Sequence, residues 1–137
     1  MSGAIAWQVE LVIRPGELDN FRTLTSAMVE STQGERGVLI YERFVSADGK
    51  VVYVYERYTD SAAAVAHLLA FANMYGERFT TLVERRRFMV FGTPRAELQR
   101  ILDRFDATYL RPFDGFSLVQ EEERQRRPIA CQSGSGG

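Results

Sequence analysis

The chain holds one histidine, His67, inside the alanine-rich run SAAAVAHLLAFANM. Imidazole is the side chain best suited to move a proton near neutral pH, so His67 is the first candidate for chemistry. Advancing about 100° per residue from Ala64 puts His67 about 60° to one side of the helical stripe Ala64, Leu68, Phe71, Tyr75, Phe79 and Leu82. Met74 and Arg78 fall on the same flank. A flank residue sits where a helix edge meets its sheet, and clefts open there. Three roles stand open: a general base, a half-exposed structural residue bonded to a backbone carbonyl or water, and a haem ligand. With no second histidine and no cysteine nearby, His67 is a poor zinc or non-haem iron site, so no metal is expected.

Aromatic residues surround this histidine in the sequence pattern. Trp7, Val9, Tyr41, Tyr53 and Tyr55 are assigned to the sheet face that meets the helices, with Phe71 on the helix above. Such a wall would hold a flat ligand and exclude water. The same set serves equally as core, provided the phenols find hydrogen-bond partners. Arg85, Arg86 and Arg87 could together attract an anionic substrate; the other reading is that they are solvated, apart from the one that strand alternation turns inward. The chain has no GxGxxG after a strand, phosphate loop, HExxH, CxxC or GxSxG, so nucleotide-cofactor, zinc-protease and serine-hydrolase readings have no support.

The elements that must position these residues follow from periodicity. AIAWQVELVI alternates as a strand and stops at Pro15-Gly16. Leu18, Phe21, Leu24, Thr25 and Met28 recur at helical spacing until QGERG breaks the pattern. VLIYERFVS and VVYVYERYT are strands joined by the hairpin turn ADGK. Asp60 or Ser61 caps the helix that carries His67, and Gly76 marks a kink or a break in it. RRRFMVFG is a fourth strand, after which Thr93 and Pro94 start a third helix bearing Leu98, Ile101, Leu102 and Phe105. A short extended segment and a turn at Asp114-Gly115 follow.

The order βαββαβ is that of a ferredoxin-like α+β sandwich, here with an added C-terminal helix and short extended piece. Right-handed crossovers put both main helices on one face of a four-stranded sheet. Yet both strand faces are largely apolar, and one chain has helix enough for only one of them. A second copy is the simplest cover, so a homodimer is expected through the face bearing Glu10, Glu42 and Glu56.

Length and composition bound the rest. The 137 residues suit one domain, expected over 1–119 with a core at 4–92 and an extension at 93–119. The charged, then small and polar, residues 120–137 are expected to be a disordered tail. A net charge of -1 points to neither nucleic acid nor an acidic membrane. The single cysteine, Cys131, permits no disulfide within the chain, and no apolar run is long enough to span a bilayer, so a cytoplasmic protein is expected.

Four stretches together resemble the antibiotic-biosynthesis-monooxygenase type of dimeric α/β barrel: RPGELDNF, GVLIYERF, YVYERYTDSAAAVAHL and RRFMVF. The resemblance covers Ala4 to Gly92; Tyr58 stands where many members have tryptophan, and 93–116 lies beyond the basic module. It implies oxidation of a small aromatic, phenolic or quinol-like compound by O₂ without a cofactor, in a pocket between sheet and helices, with His67 as base. Two alternatives stand beside it: a non-catalytic small-ligand-binding or regulatory dimer, and a haem-binding or haem-degrading protein. The haem-degrading branch pairs its histidine with an asparagine on the first strand, and this first strand has none.

Overall fold

The computed structural model describes residues 3–119. The tail at 120–137 and Cys131 lie outside the described residues. The elements run β1 (Ile5–Ile13), α1 (Leu18–Gln33), β2 (Val38–Val45), β3 (Val51–Tyr58), α2 (Ser61–Met74), α3 (Gly76–Leu82), β4 (Val83–Phe91), α4 (Ala96–Asp103) and β5 (Thr108–Leu110). The sheet order is β2-β3-β1-β4-β5, with the first four strands antiparallel, the ferredoxin-like arrangement. The sheet is open rather than closed on itself. No described helix is long and apolar enough to cross a membrane.

Two features extend the expected frame. The short extended segment is a fifth strand, β5, parallel to β4 at the sheet edge. Helix α4 begins at Ala96, not at Thr93-Pro94. The Arg95 N–H donates to Ser61 Oγ at 3.0 Å, which keeps the chain extended for one residue more and ties the extension to the start of α2. Leu98 and Leu102 of α4 are fully buried in the same core as Trp7, Leu24 and Val90.

The break foreseen at Gly76 separates α2 from α3, and it moves the helical stripe. Tyr75, Phe79 and Leu82 lie at or beyond it, so they cannot phase the helix before it. The buried face of α2 is Ser61, Ala64, Val65 and His67, with Leu68 and Phe71 packed beside it. His67 is therefore not a half-exposed flank residue; it is 4% exposed and points at the sheet. The Asp60 side chain caps this helix, accepting from the Ala63 N–H at 2.8 Å.

Strand pairing also corrects the faces. Trp7 lies opposite Glu56, which lies opposite Tyr41, so these three share the helix-covered side. Tyr55 pairs with Gln8 and Glu42, and Tyr53 pairs with Glu10 and Phe44. Tyr53 and Tyr55 consequently point to the open face with Glu10 and Glu42, whereas Glu56 is buried under the helices. Alternation within β3 was legible; its phase relative to β1 was not, because a one-residue offset reverses every side chain.

Candidate functional site

Beneath α2 the sheet presents a buried carboxylate wrapped in donors. Glu56 Oε1 accepts from Trp7 Nε1 at 2.9 Å and from the Tyr58 hydroxyl at 2.5 Å. Its Oε2 accepts from Arg43 Nη2 at 2.5 Å. A charge this deep is tolerable only when paired and hydrogen-bonded, and Glu56 is both. Arg43 in turn stacks on the Tyr41 ring, its guanidinium carbon 3.5 Å from the ring centroid.

His67 sits beside this cluster, packed on Tyr41, Tyr58 and Phe71. Its Nδ1 is 2.8 Å from Oε1 of Glu35, which lies two residues beyond the end of α1. A carboxylate can only accept, so Nδ1 donates to Glu35, and Nε2 is the ring nitrogen turned toward Glu56. Nε2 lies 3.8 Å from Glu56 Oε1.

The neighbouring phenols are held neutral. Burial pushes the Tyr41 phenol up to about 12 against the pull of Arg43. Tyr58 is raised well above its ordinary value by burial and then by the Glu56 carboxylate. Two side-chain atoms of the cavity lining, Arg43 Nη1 and the Tyr41 hydroxyl, are buried without a well-formed hydrogen bond. Orphaned polar atoms at one site are where a ligand or water finds partners.

These side chains enclose a cavity of about 60 Å³, lined by Trp7, Val9, Tyr41, Arg43, Glu56, His67 and Phe71 among others. It suits water or dioxygen and is smaller than ordinary ligand sites, which begin at about 300 Å³. A groove of about 420 Å³ runs alongside, between α1 and β2. Phe21 and Arg43 line both spaces and form the wall between them.

The structure thus brings Trp7, Val9, Tyr41 and Phe71 together with His67. Tyr53 and Tyr55 face away, Met74 lines a separate crevice of about 10 Å³ together with Glu35, Tyr41, His67 and Phe71, and Arg78 is exposed on α3. Glu35, Arg43, Glu56 and Tyr58 were not foreseen. The Tyr-Glu and Glu-x-Tyr pairs in β2 and β3 were visible, but which glutamate turned inward depended on the strand phase.

Comparison with known proteins places this geometry. The antibiotic biosynthesis monooxygenase family model matches residues 4–70. MupZ from Pseudomonas fluorescens is 25% identical with a TM-score of 0.74, over 85% of this chain and 91% of MupZ. That coverage is more than the core at 4–92 could supply alone, so the likeness reaches into the extension. Rv0793 from Mycobacterium tuberculosis is 26% identical with a TM-score of 0.52, over 67% of this chain and 96% of that one. SnoaB from Streptomyces nogalater, a cofactor-independent oxygenase, shares the fold at 11% identity and a TM-score of 0.59, over 69% of this chain and 97% of its own. No curated protein sequence matches. Over residues 4–70 the chain is similar to the antibiotic biosynthesis monooxygenase family.

Proposed function

We propose that this protein is a cofactor-independent monooxygenase acting on a small phenolic or quinol-like aromatic, with His67 as general base. The observation that carries the reading is the Glu35–His67 pair, which fixes the ring so that His67 lines a cavity walled by Trp7, Tyr41 and Phe71. Deprotonating a quinol makes an electron-rich anion that O₂ oxidises far more readily than the neutral compound. Glu35 fixes the tautomer, and the buried aromatics exclude water. The substrate enters from the groove past Arg43 and Phe21, whose displacement enlarges the cavity.

The open sheet face, with Tyr53 40% and Phe44 57% exposed beside Glu10 and Glu42, is read as the contact with a second copy of the chain. A second functional reading, a non-catalytic small-ligand-binding or regulatory dimer, draws support from the groove, which is ligand-sized and is not lined by His67. Oxygen uptake separates the two. With 1,4-dihydroxynaphthalene the enzyme reading expects uptake proportional to protein above the spontaneous rate. It expects His67→Ala to lose about 100-fold or more of that increment, as removal of a general base does. Uptake that protein does not accelerate supports the binding reading.

A further inference from the structure

Strand β4 does not alternate uniformly. Opposite β1, Glu10 pairs with Arg87 but the next residue, Leu11, pairs with Arg85, so a bulge falls at Arg86. The buried residues of β4 follow suit: Val83, then Phe88 and Val90. Without the bulge, the phase set by Phe88 and Val90 would turn Arg86 inward and leave Arg85 on the other face. The bulge places Arg85 on the cavity side, and bulges beside active sites commonly re-aim a side chain in this way.

Arg85 lines the cavity together with Arg43, Glu56 and His67. The other charges there are matched, since Arg43 is paired with Glu56. Among the described residues Arg85 has neither ion pair nor hydrogen bond. Its guanidinium packs on two rings, its carbon 4.4 Å from the Phe105 centroid and 5.6 Å from that of Phe79. Phe105 belongs to the C-terminal extension and stacks on Phe88 at 5.4 Å and 7°. Burial lowers the Arg85 pKa, as expected for a cation taken from water without a counter-ion. A part-buried guanidinium that lacks a counter-ion at a cavity wall is a ready partner for an anion.

We propose that Arg85 is the anion receptor of this cavity, and that its ligand is a planar aromatic compound bearing a carboxylate. The planar guanidinium matches a carboxylate in a two-point fork, and the rings of Phe79 and Phe105 hold it in one orientation. The extension then has a role in the site: it supplies the ring that positions Arg85. This inference rests on the cavity being the ligand site, as in the proposed function, but does not depend on oxygenation.

The test is binding of 2-naphthoate and its neutral counterpart 2-naphthamide to the full chain, measured calorimetrically. The proposal expects naphthoate to bind about 10-fold or more tightly than naphthamide. That preference should vanish in Arg85→Gln and Arg85→Met, persist in part in Arg85→Lys, and be untouched in Arg86→Gln, an exposed neighbour. Arg85→Met removes the buried charge altogether, so it keeps the folded protein available if Gln does not. Equal affinities, a preference that survives both neutral substitutions, or no binding of either compound would overturn the proposal. Oxygen uptake with 1,4-dihydroxynaphthalene, which has no carboxylate, reports on the oxygenase reading separately. Arg85-dependent naphthoate binding without any such uptake would leave the anion site standing and the oxygenase reading refuted. Uptake without naphthoate preference would do the reverse.

Discussion

Truncating Glu56 to alanine should be among the most damaging single changes in this domain. The carboxylate is 5% exposed and accepts from Arg43, Trp7 and Tyr58. Removing it leaves the Arg43 guanidinium without a counter-ion, and breaking a buried pair in this way costs about 3–5 kcal/mol. The Trp7 N–H and the Tyr58 hydroxyl lose their acceptor as well, at about 1–3 kcal/mol each when nothing replaces it. Water drawn into the cavity recovers part of that, so a net loss of about 4 kcal/mol is expected, against the 5–15 kcal/mol that holds a typical domain folded. At a urea dependence of about 2 kcal/mol per molar, the unfolding midpoint falls by about 2 M. Trp7 is the only tryptophan in the chain, so its fluorescence reports both the unfolding and the loss of its own hydrogen bond. The triple variant Arg43→Met, Glu56→Leu, Tyr58→Phe replaces the charges and the hydroxyl with apolar groups and should recover most of the loss. A Glu56→Ala variant within about 1 kcal/mol of the parent would refute the buried, fully coordinated carboxylate.

Other expectations follow from the same geometry. Glu35→Gln should leave the fold intact and slow any His67-dependent turnover by about 10–100-fold, the usual effect of losing a partner that orients a histidine; steady-state oxygen uptake measures it, and an unchanged rate argues against the Glu35–His67 pair. Tyr41, with its phenol pushed up to about 12, and Tyr58 stay protonated in the native state at pH values where unfolded tyrosines ionise. Their contribution to stability is whole below the unfolded value near 10 and is lost as pH climbs through it toward the folded one. Urea midpoints should therefore drop from pH 9 to pH 11, with tyrosinate absorbance showing three phenols that titrate late, Tyr41, Tyr58 and Tyr109, the last pushed up to about 12 by burial and its bond to Asp103; six tyrosines ionising together near pH 10 would contradict this. Gly37→Ala should destabilise by about 2 kcal/mol or more by chemical denaturation, because a β-carbon there needs positive φ and would meet Ala63 Cβ at 2.6 Å and Thr59 Oγ1 at 2.8 Å; an unaltered midpoint would mean that β2 does not dock so tightly on α2.

Much of the frame was readable because it rests on periodicity. The alternation of Ile5, Trp7, Val9, Leu11 and Ile13, the cap at Asp60 and the break near Gly76 each come from local rules, and each stands in the structure. The site was harder, because its assembly depends on relations between elements. The Glu56 and Tyr55 faces exchange with a one-residue offset between β1 and β3, which no property of β3 alone encodes. His67 was misplaced because residues of α3 were used to phase α2. Arg85 faces inward only through a bulge against β1, and Glu35 reaches His67 from 32 residues away. Those contacts are long-range consequences of packing, and a single sequence carries no local signal for them.

The most direct test of the proposed chemistry is the fate of molecular oxygen. A monooxygenase converts 1,4-dihydroxynaphthalene and O₂ into 2-hydroxy-1,4-naphthoquinone and water, placing one oxygen atom of O₂ on the ring and reducing the other to water. Spontaneous oxidation gives 1,4-naphthoquinone and hydrogen peroxide instead. Under ¹⁸O₂, mass spectrometry of the product should find the hydroxyquinone with one labelled oxygen in the presence of the parent protein, and little of it with His67→Ala. Unlabelled product, or the same quinone-and-peroxide mixture with both proteins, would contradict the assignment of His67 as the base of an oxygenase.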